Sequence, residues 1–148
     1  MTPLSIRLLR ADETDLAAAI SRRAMRTVPC FDETLHSPQE DRDFWREHIF
    51  PTCEIWGAFE KDVLLGQAAV SEGWVHQLHV DPIGQGRGIG SALLAALKIG
   101  MPDIQLWTFQ ANHGARRFYE RHGFIAVEQT DGSRNEEREP DVRYRWVR

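Results

Sequence analysis

Four glycines alternate with other residues in Gly84-Gln85-Gly86-Arg87-Gly88-Ile89-Gly90, after the run Trp74 to Val80 and before Ser91-Ala92-Leu93-Leu94. Backbone without side chains can curl round a ligand and aim successive N–H groups at it, and a helix starting there adds the positive end of its dipole. Such a turn suits an anionic phosphate, with Arg87 as a neighbouring cation. A glycine-rich turn could also serve only to bend the chain, but four glycines in seven residues exceed what a bend requires. A P-loop ends in Gly-Lys-Ser/Thr so that its lysine reaches the terminal phosphates, whereas Gly90 is followed by Ser91 with no lysine. A dinucleotide fingerprint fits poorly as well, because Gly86-Arg87-Gly88-Ile89-Gly90-Ser91 ends in serine and no acidic residue closes the next strand.

The run Gln85 to Gly90, preceded by Val80-Asp81-Pro82, resembles the pyrophosphate-binding signature of the GNAT superfamily of N-acetyltransferases, Gln/Arg-x-x-Gly-x-Gly/Ala. The stretch Asn112-His113-Gly114-Ala115-Arg116-Arg117-Phe118-Tyr119-Glu120-Arg121-His122-Gly123-Phe124 is similar to the family's next motif, Asn-x-x-Ala-x-x-Phe-Tyr-x-x-x-Gly-Phe. The close resemblance covers residues 74 to 128, and the remainder agrees in element order.

This resemblance implies direct transfer of acetyl from acetyl-CoA, as cosubstrate, to a primary amine of a small molecule, peptide or protein, with no covalent enzyme intermediate. Gln85, Gly86, Arg87, Gly88, Ile89, Gly90 and Ser91 are then the pyrophosphate turn. A backbone N–H of the strand Leu78-His79-Val80 polarises the thioester carbonyl as charge develops on its oxygen. The family splays that strand from its neighbour so that the pantetheine arm pairs with the freed backbone. Asn112 is carried over as a pantetheine contact and Tyr119 as the general acid for the departing thiolate. Seven residues apart on a helix, they share a face at about 10 Å. Asn112 could equally be a plain helix cap, and Tyr119 a core aromatic beside Ala115 and Phe118.

An acceptor ammonium must lose a proton before it attacks, and a carboxylate or histidine can take it directly or through water. No motif marks this base. His76 and Glu72 are the candidates, lying on or just before the strand that offers the carbonyl donor. Strict alternation puts His76 on one face with Trp74, Leu78 and Val80, and His79 on the other. Neither His76 with His79 nor His113 with His122 shares a face, so no metal site is expected.

The elements that must hold these groups follow from periodicity. Leu4 to Leu9 reads as a strand and Asp12 to Thr27 as a helix with Leu16, Ala19, Ile20 and Ala24 on its apolar face. A second helix opens at Ser37-Pro38, carries Phe44, Trp45, His48 and Ile49 on one face and is expected to stop at Pro51. Glu54 to Phe59, Val63 to Val70 and Trp74 to Val80 form an antiparallel meander joined by short turns. A helix with Ile89, Leu93, Leu94 and Leu97 follows, then a strand Ile104 to Phe109, a helix Asn112 to His122, and strands Phe124 to Val127 and Val142 to Val147. The fold class is mixed α/β in one domain, residues 1–148, with the order β-α-α-β-β-β-α-β-α-β-β. It is mostly antiparallel with one parallel pair about a right-handed crossover, and the resemblance implies a GNAT-like acyl-CoA N-acyltransferase fold with that pair splayed.

Of the 148 residues, 18 are Lys or Arg and 22 Asp or Glu, a net charge of -4 that lacks the footprint of a nucleic-acid binder. No apolar run approaches the ~20 residues of a membrane span. Met1 to Arg10 lacks the build of a signal peptide. Cys30 and Cys53 read as free thiols, and a cytoplasmic protein is expected. In the family, the loop between the first two helices, here Pro29 to Ser37, and the last hairpin, Thr130 to Asp141, line the acceptor cleft. Glu136, Glu137, Glu139 and Asp141 outnumber Arg134 and Arg138 in that hairpin, so a cationic amine would be drawn there if it bends over the cleft. The alternative function is a catalytically idle acyl-CoA-binding sensor or interaction module. Relatives are often homodimers, though no apolar stripe in the sequence specifies such an interface.

Overall fold

The computed structural model describes residues 3–148; Met1 and Thr2 of the expected domain lie outside the described residues. Strand β1 (Ser5–Leu8) leads through a tight turn, Ala11–Glu13, into helix α1 (Thr14–Met25). The buried Glu13 carboxylate holds this junction, accepting from the Arg10 amide at 2.8 Å and from both Arg7 guanidinium nitrogens at 2.9 and 2.8 Å. Arg7 in turn lies 4.0 Å over the Phe59 ring. Helix α1 is rotated from the expected face. Ala17, Ala18, Ile20 and Ala24 are buried while Leu16 is 53% exposed, because the small alanines let the helix lie close against the sheet.

Helix α2 (Pro38–Phe44) opens with a capping box, in which Ser37 Oγ accepts from the Glu40 amide and Glu40 returns a bond to the Ser37 amide. It does not stop at Pro51. A widened π-turn, Trp45–Ile49, and the short helix α3 (Phe50–Thr52) carry the chain on to Cys53, whose amide bonds the Ile49 carbonyl. The wide turn shifts the hydrogen-bond register just ahead of the proline, which has no N–H to contribute. It also divides the expected apolar face. Trp45 and Ile49 are buried, whereas Phe44 and His48 stack outside.

Strands β2 (Glu54–Glu60), β3 (Val63–Ser71) and β4 (Trp74–Val80) form the meander. Their two-residue turns, Lys61-Asp62 and Glu72-Gly73, have positive φ at both central positions, which suits the twist of a tight hairpin. Helix α4 (Ile89–Gly100), β5 (Asp103–Phe109), helix α5 (His113–Arg121), β6 (Ile125–Thr130) and β7 (Asp141–Val147) complete the chain. The sheet runs β1-β2-β3-β4-β5-β7-β6 and is antiparallel except between β4 and β5. This is the expected mixed α/β order, with β6 running further than the expected Val127.

Clusters of apolar side chains cover opposite faces of the sheet. Under α4 and α5 lie Leu94, Leu97, Ile104, Leu106 and Tyr144, and under α1 and the π-turn lie Ile20, Trp45, Ile55 and Phe59. Ile89 is 1% exposed, and burying such a side chain contributes about 1.5–3 kcal/mol. This pins the first turn of α4 to the sheet by its side chain and leaves its amides at the surface.

Arg7's hydrogen bonds hold the Glu13 carboxyl at about 2, below its ordinary value near 4.5. A lowered carboxyl stabilises the fold above its unfolded value and loses that contribution as pH falls towards 2. Glu13→Ala should therefore cost about 1–2 kcal/mol at pH 7 in urea denaturation, a gap that narrows below pH 4.5. An equal gap at pH 7 and at pH 3 would contradict this role.

Candidate active site

The glycine turn is built on Asp81, which is 5% exposed. Its carboxylate accepts from the Ile83 amide at 3.3 Å and from Arg23 of α1 at 2.6 and 3.2 Å. A single 3-10 turn, Pro82–Gly84, follows. Gly86 and Gly88 then take left-handed conformations, φ 78° and 79°, that L side chains rarely adopt. The next bond is from the Ala92 amide to the Gly88 carbonyl, 3.0 Å. The amides of Gly86, Arg87, Gly88, Ile89, Gly90 and Ser91 thus donate to no group among the described residues. Six open donors at the positive end of a helix form a strong anion cradle.

Gly90 lets α5 approach, since a Cβ there would stand 3.2 Å from the Phe118 ring. Gln85 braces the turn by donating to the Val80 carbonyl at 3.3 Å. Arg87, the cation expected beside the turn, pairs through its guanidinium with Glu60 at the end of β2.

The cradle opens into a cleft of about 1310 Å³. Strands β4 and β5 pair only at Trp74 with Gln105 and Val75 with Leu106, and then diverge. Leu78, His79 and Val80 border the gap, as do Trp107 and Phe109 across it. Asn112 caps α5, its Oδ1 accepting from the Ala115 amide at 3.2 Å, and it borders the same cleft. So does Tyr119, which is 7% exposed and packs on Phe118, Phe124 and Tyr144. Its hydroxyl has no hydrogen-bond partner among the described residues, and burial pushes the phenol well above its ordinary range. A phenol in that state keeps its proton near pH 7 and can give it to a stronger base.

His76 differs from the expected alternation. Ala69 faces Gln77 but Val70 faces Val75, so His76 sits in a β-bulge. The extra residue brings Val75 into the core that Leu78 packs against, while the exposed His76 bonds Ser71 Oγ at 2.8 Å and still borders the cleft. Glu72 is apart from this group. It lies in the β3–β4 turn with φ 50°, beside a separate depression that includes Pro51 and Met101. His79 faces the other side of the sheet, where Gln67 Nε2 approaches its Nδ1 at 3.3 Å. Burial takes its pKa down to about 4, so the ring is neutral near pH 7.

On the far side the cleft is bordered by the loop between α1 and α2 and by the β6–β7 loop. Arg22 shapes the first, donating to the Glu33 and His36 carbonyls at 2.8 and 3.0 Å and pairing with Asp41 at 2.7 Å. Asn135 shapes the second through bonds to the Glu139 backbone. The two loops meet where His36 Nε2 stands 2.7 Å from Glu136 Oε1, a contact that no local pattern in the sequence foretells. Asp32, Glu136, Glu137 and Asp141 border the cleft here. Burial raises the Cys30 thiol pKa, and the charges of Glu139 and Glu137 raise it further.

A mixed sheet splayed at one parallel pair, with an open glycine turn at the mouth of the splay, defines the class of fold as that of the GNAT acyltransferases. The chain belongs to the acetyltransferase (GNAT) family, whose model matches residues 22–124. It is similar to the peptidyl-lysine N-acetyltransferase YiaC of Escherichia coli K12, 30% identical over 94 residues that make up 58% of this chain and 64% of YiaC. It spans between 28% and 65% of the length of the curated relatives it matches. Its fold resembles that of apo YjaB from Escherichia coli, with a TM-score of 0.80 and 23% identity over 98% of both chains. It also resembles PaiA N-acetyltransferase from Thermoplasma acidophilum, solved in complex with coenzyme A, with a TM-score of 0.70 and 19% identity over 99% of both chains.

Glu136 raises the His36 pKa chiefly through their hydrogen bond. A raised histidine holds the two loops together below its ordinary range and releases them as pH rises through its folded value. Glu136→Gln should therefore lower the His36 midpoint in an NMR titration, and an unchanged midpoint would mean that the loops do not meet there.

Proposed function

We propose that this chain is an acetyl-CoA-dependent N-acetyltransferase that moves acetyl directly to a cationic primary amine, carried by a small molecule or by a peptide or protein. The observation that carries the reading is the row of six unpartnered amides, Gly86 to Ser91, at the mouth of a cleft opened by diverging strands. Those amides hold the pyrophosphate of acetyl-CoA, and Gln85 braces them. The unpaired backbone of β4 from Leu78 to Val80 receives the pantetheine arm and polarises the thioester carbonyl, with Asn112 as a further contact. The coenzyme A in the PaiA complex supports this choice of ligand.

The chemistry then divides among three groups. His76, at the cleft edge and bonded to Ser71, takes the proton that the ammonium must lose, directly or through water. The amine nitrogen bonds to the carbonyl carbon, and the carbon–sulfur bond breaks. Tyr119 gives its proton to the leaving sulfur, a role supported by its place on the cleft and its unpartnered hydroxyl, and the second proton, shed by the nitrogen as the amide forms, returns through water to the phenolate. Glu72 lies too far round the hairpin to share this work. The carboxylates of the two loops favour a positively charged acceptor, and the name of YiaC is consistent with a lysine side chain. With Cys30 and Cys53 both free thiols, we place the enzyme in the cytoplasm.

Calorimetry with acetyl-CoA and thiol release against polyamines, amino acids, aminoglycosides and lysine peptides test the reading. Gly88→Glu should weaken acetyl-CoA at least about tenfold by placing a strained, anionic side chain in the cradle. Tyr119→Phe should bind acetyl-CoA as the wild type does and lower kcat by about 10²-fold. Binding without thiol release from any amine would overturn the enzyme in favour of a sensor, and no binding would overturn the cradle.

A further inference from the structure

Ser91 supplies the last of the six open amides, and its side chain is committed elsewhere. Its Oγ lies 3.0 Å from His122 Nε2, and His122 Nδ1 lies 2.8 Å from the Phe118 carbonyl. A carbonyl can only accept, so Nδ1 carries a hydrogen in either charge state. In the neutral ring Nε2 is therefore a bare lone pair, and the Ser91 hydroxyl must donate to it. That leaves only the lone pairs of Oγ for whatever occupies the cradle. Lone pairs facing phosphate oxygens repel them.

We propose that His122 is a positioning residue that takes up one proton when a pyrophosphate enters the glycine turn, turning the Ser91 hydroxyl from His122 to the phosphate. This rests on the reading of the turn as the pyrophosphate site. The proton comes from the buffer and bonds to Nε2. That nitrogen then donates to Oγ, and the Ser91 hydrogen is released to a phosphate oxygen. No other bond forms or breaks.

The charged groups nearest the ring are cations. Lys98 of α4 donates to the His122 carbonyl at 2.8 Å, and Arg121 precedes it on α5. Arg148, beyond β7, bonds the Lys98 carbonyl. Glu120 is the carboxylate two residues back, and its Oε2 accepts from the Tyr144 hydroxyl at 2.6 Å. No carboxylate pairs with His122 among the described residues. These cations oppose a further positive charge, whereas the pyrophosphate that the turn is read as holding would favour it. The Phe118 ring, 4.5 Å from the imidazole, also favours the charged form.

The test is a ¹⁵N–¹H titration of the histidine rings of the full chain, alone and saturated with coenzyme A. Without ligand at pH 7.5, His122 should be the neutral Nδ1–H tautomer. With ligand, both nitrogens should carry hydrogen and the titration midpoint should rise by about one pH unit or more. Ser91→Ala should bind coenzyme A several-fold more weakly and abolish most of that rise. A purely structural His122 would show the same midpoint with and without ligand, and that result overturns the inference. If coenzyme A binds and shifts the amides of residues 86–91 but leaves His122 unmoved, the inference fails and the cradle stands. If coenzyme A does not bind at all, both fail.

Discussion

The divergence of β4 from β5 is the constraint on which the rest of the structure depends. Two parallel strands that pair at Trp74 and Val75 and then separate leave a run of backbone donors and acceptors without a ladder. Buried backbone of that kind must find partners or water. The fold tolerates the gap because each wall is held from behind. The meander and α1 hold β4, and the β7 ladder, paired with β5 from Asp103 to Phe109, holds the other wall. The glycine turn belongs to the same arrangement, since β4 must leave the sheet and α4 must start at its mouth.

Charge is distributed along the cleft in a way that matches its two ends. The cradle presents partial positive charge from amides and a helix dipole. Its nearest guanidinium, Arg87, is already paired with Glu60, so anion binding there falls mainly to the backbone. The opposite end carries Asp32, Glu136, Glu137 and Asp141. Between the two ends lies a group that stays uncharged near pH 7, the Tyr119 phenol, shifted by burial.

Most of the architecture was legible because it depends on local signals. The capping box at Ser37, the two-residue turns, the glycine turn and the change of period at Ile89 each act within a few residues. What escaped reading depends on partners distant in the chain. Leu16 faces solvent because the alanines of α1 decide how closely it packs, and the π-turn before Pro51 decides which of four aromatic or apolar side chains go inside. The bulge at His76 is a property of the β3–β4 register, so alternation within β4 alone does not place Val75 in the core beside Leu78. The pairings of Arg87 with Glu60, His36 with Glu136 and Ser91 with His122 join residues 27, 100 and 31 positions apart, and no periodicity encodes them.

The central claim is that the amides of residues 86–91 are open because they are made to hold a ligand. Amide hydrogen exchange with and without acetyl-CoA tests it most directly, since unpartnered amides exchange fast and bonded ones are protected. Acetyl-CoA is predicted to slow exchange at Gly86 to Ser91 and along Leu78 to Val80 more than anywhere else in the chain. Unchanged exchange in both segments at saturating acetyl-CoA would contradict the claim.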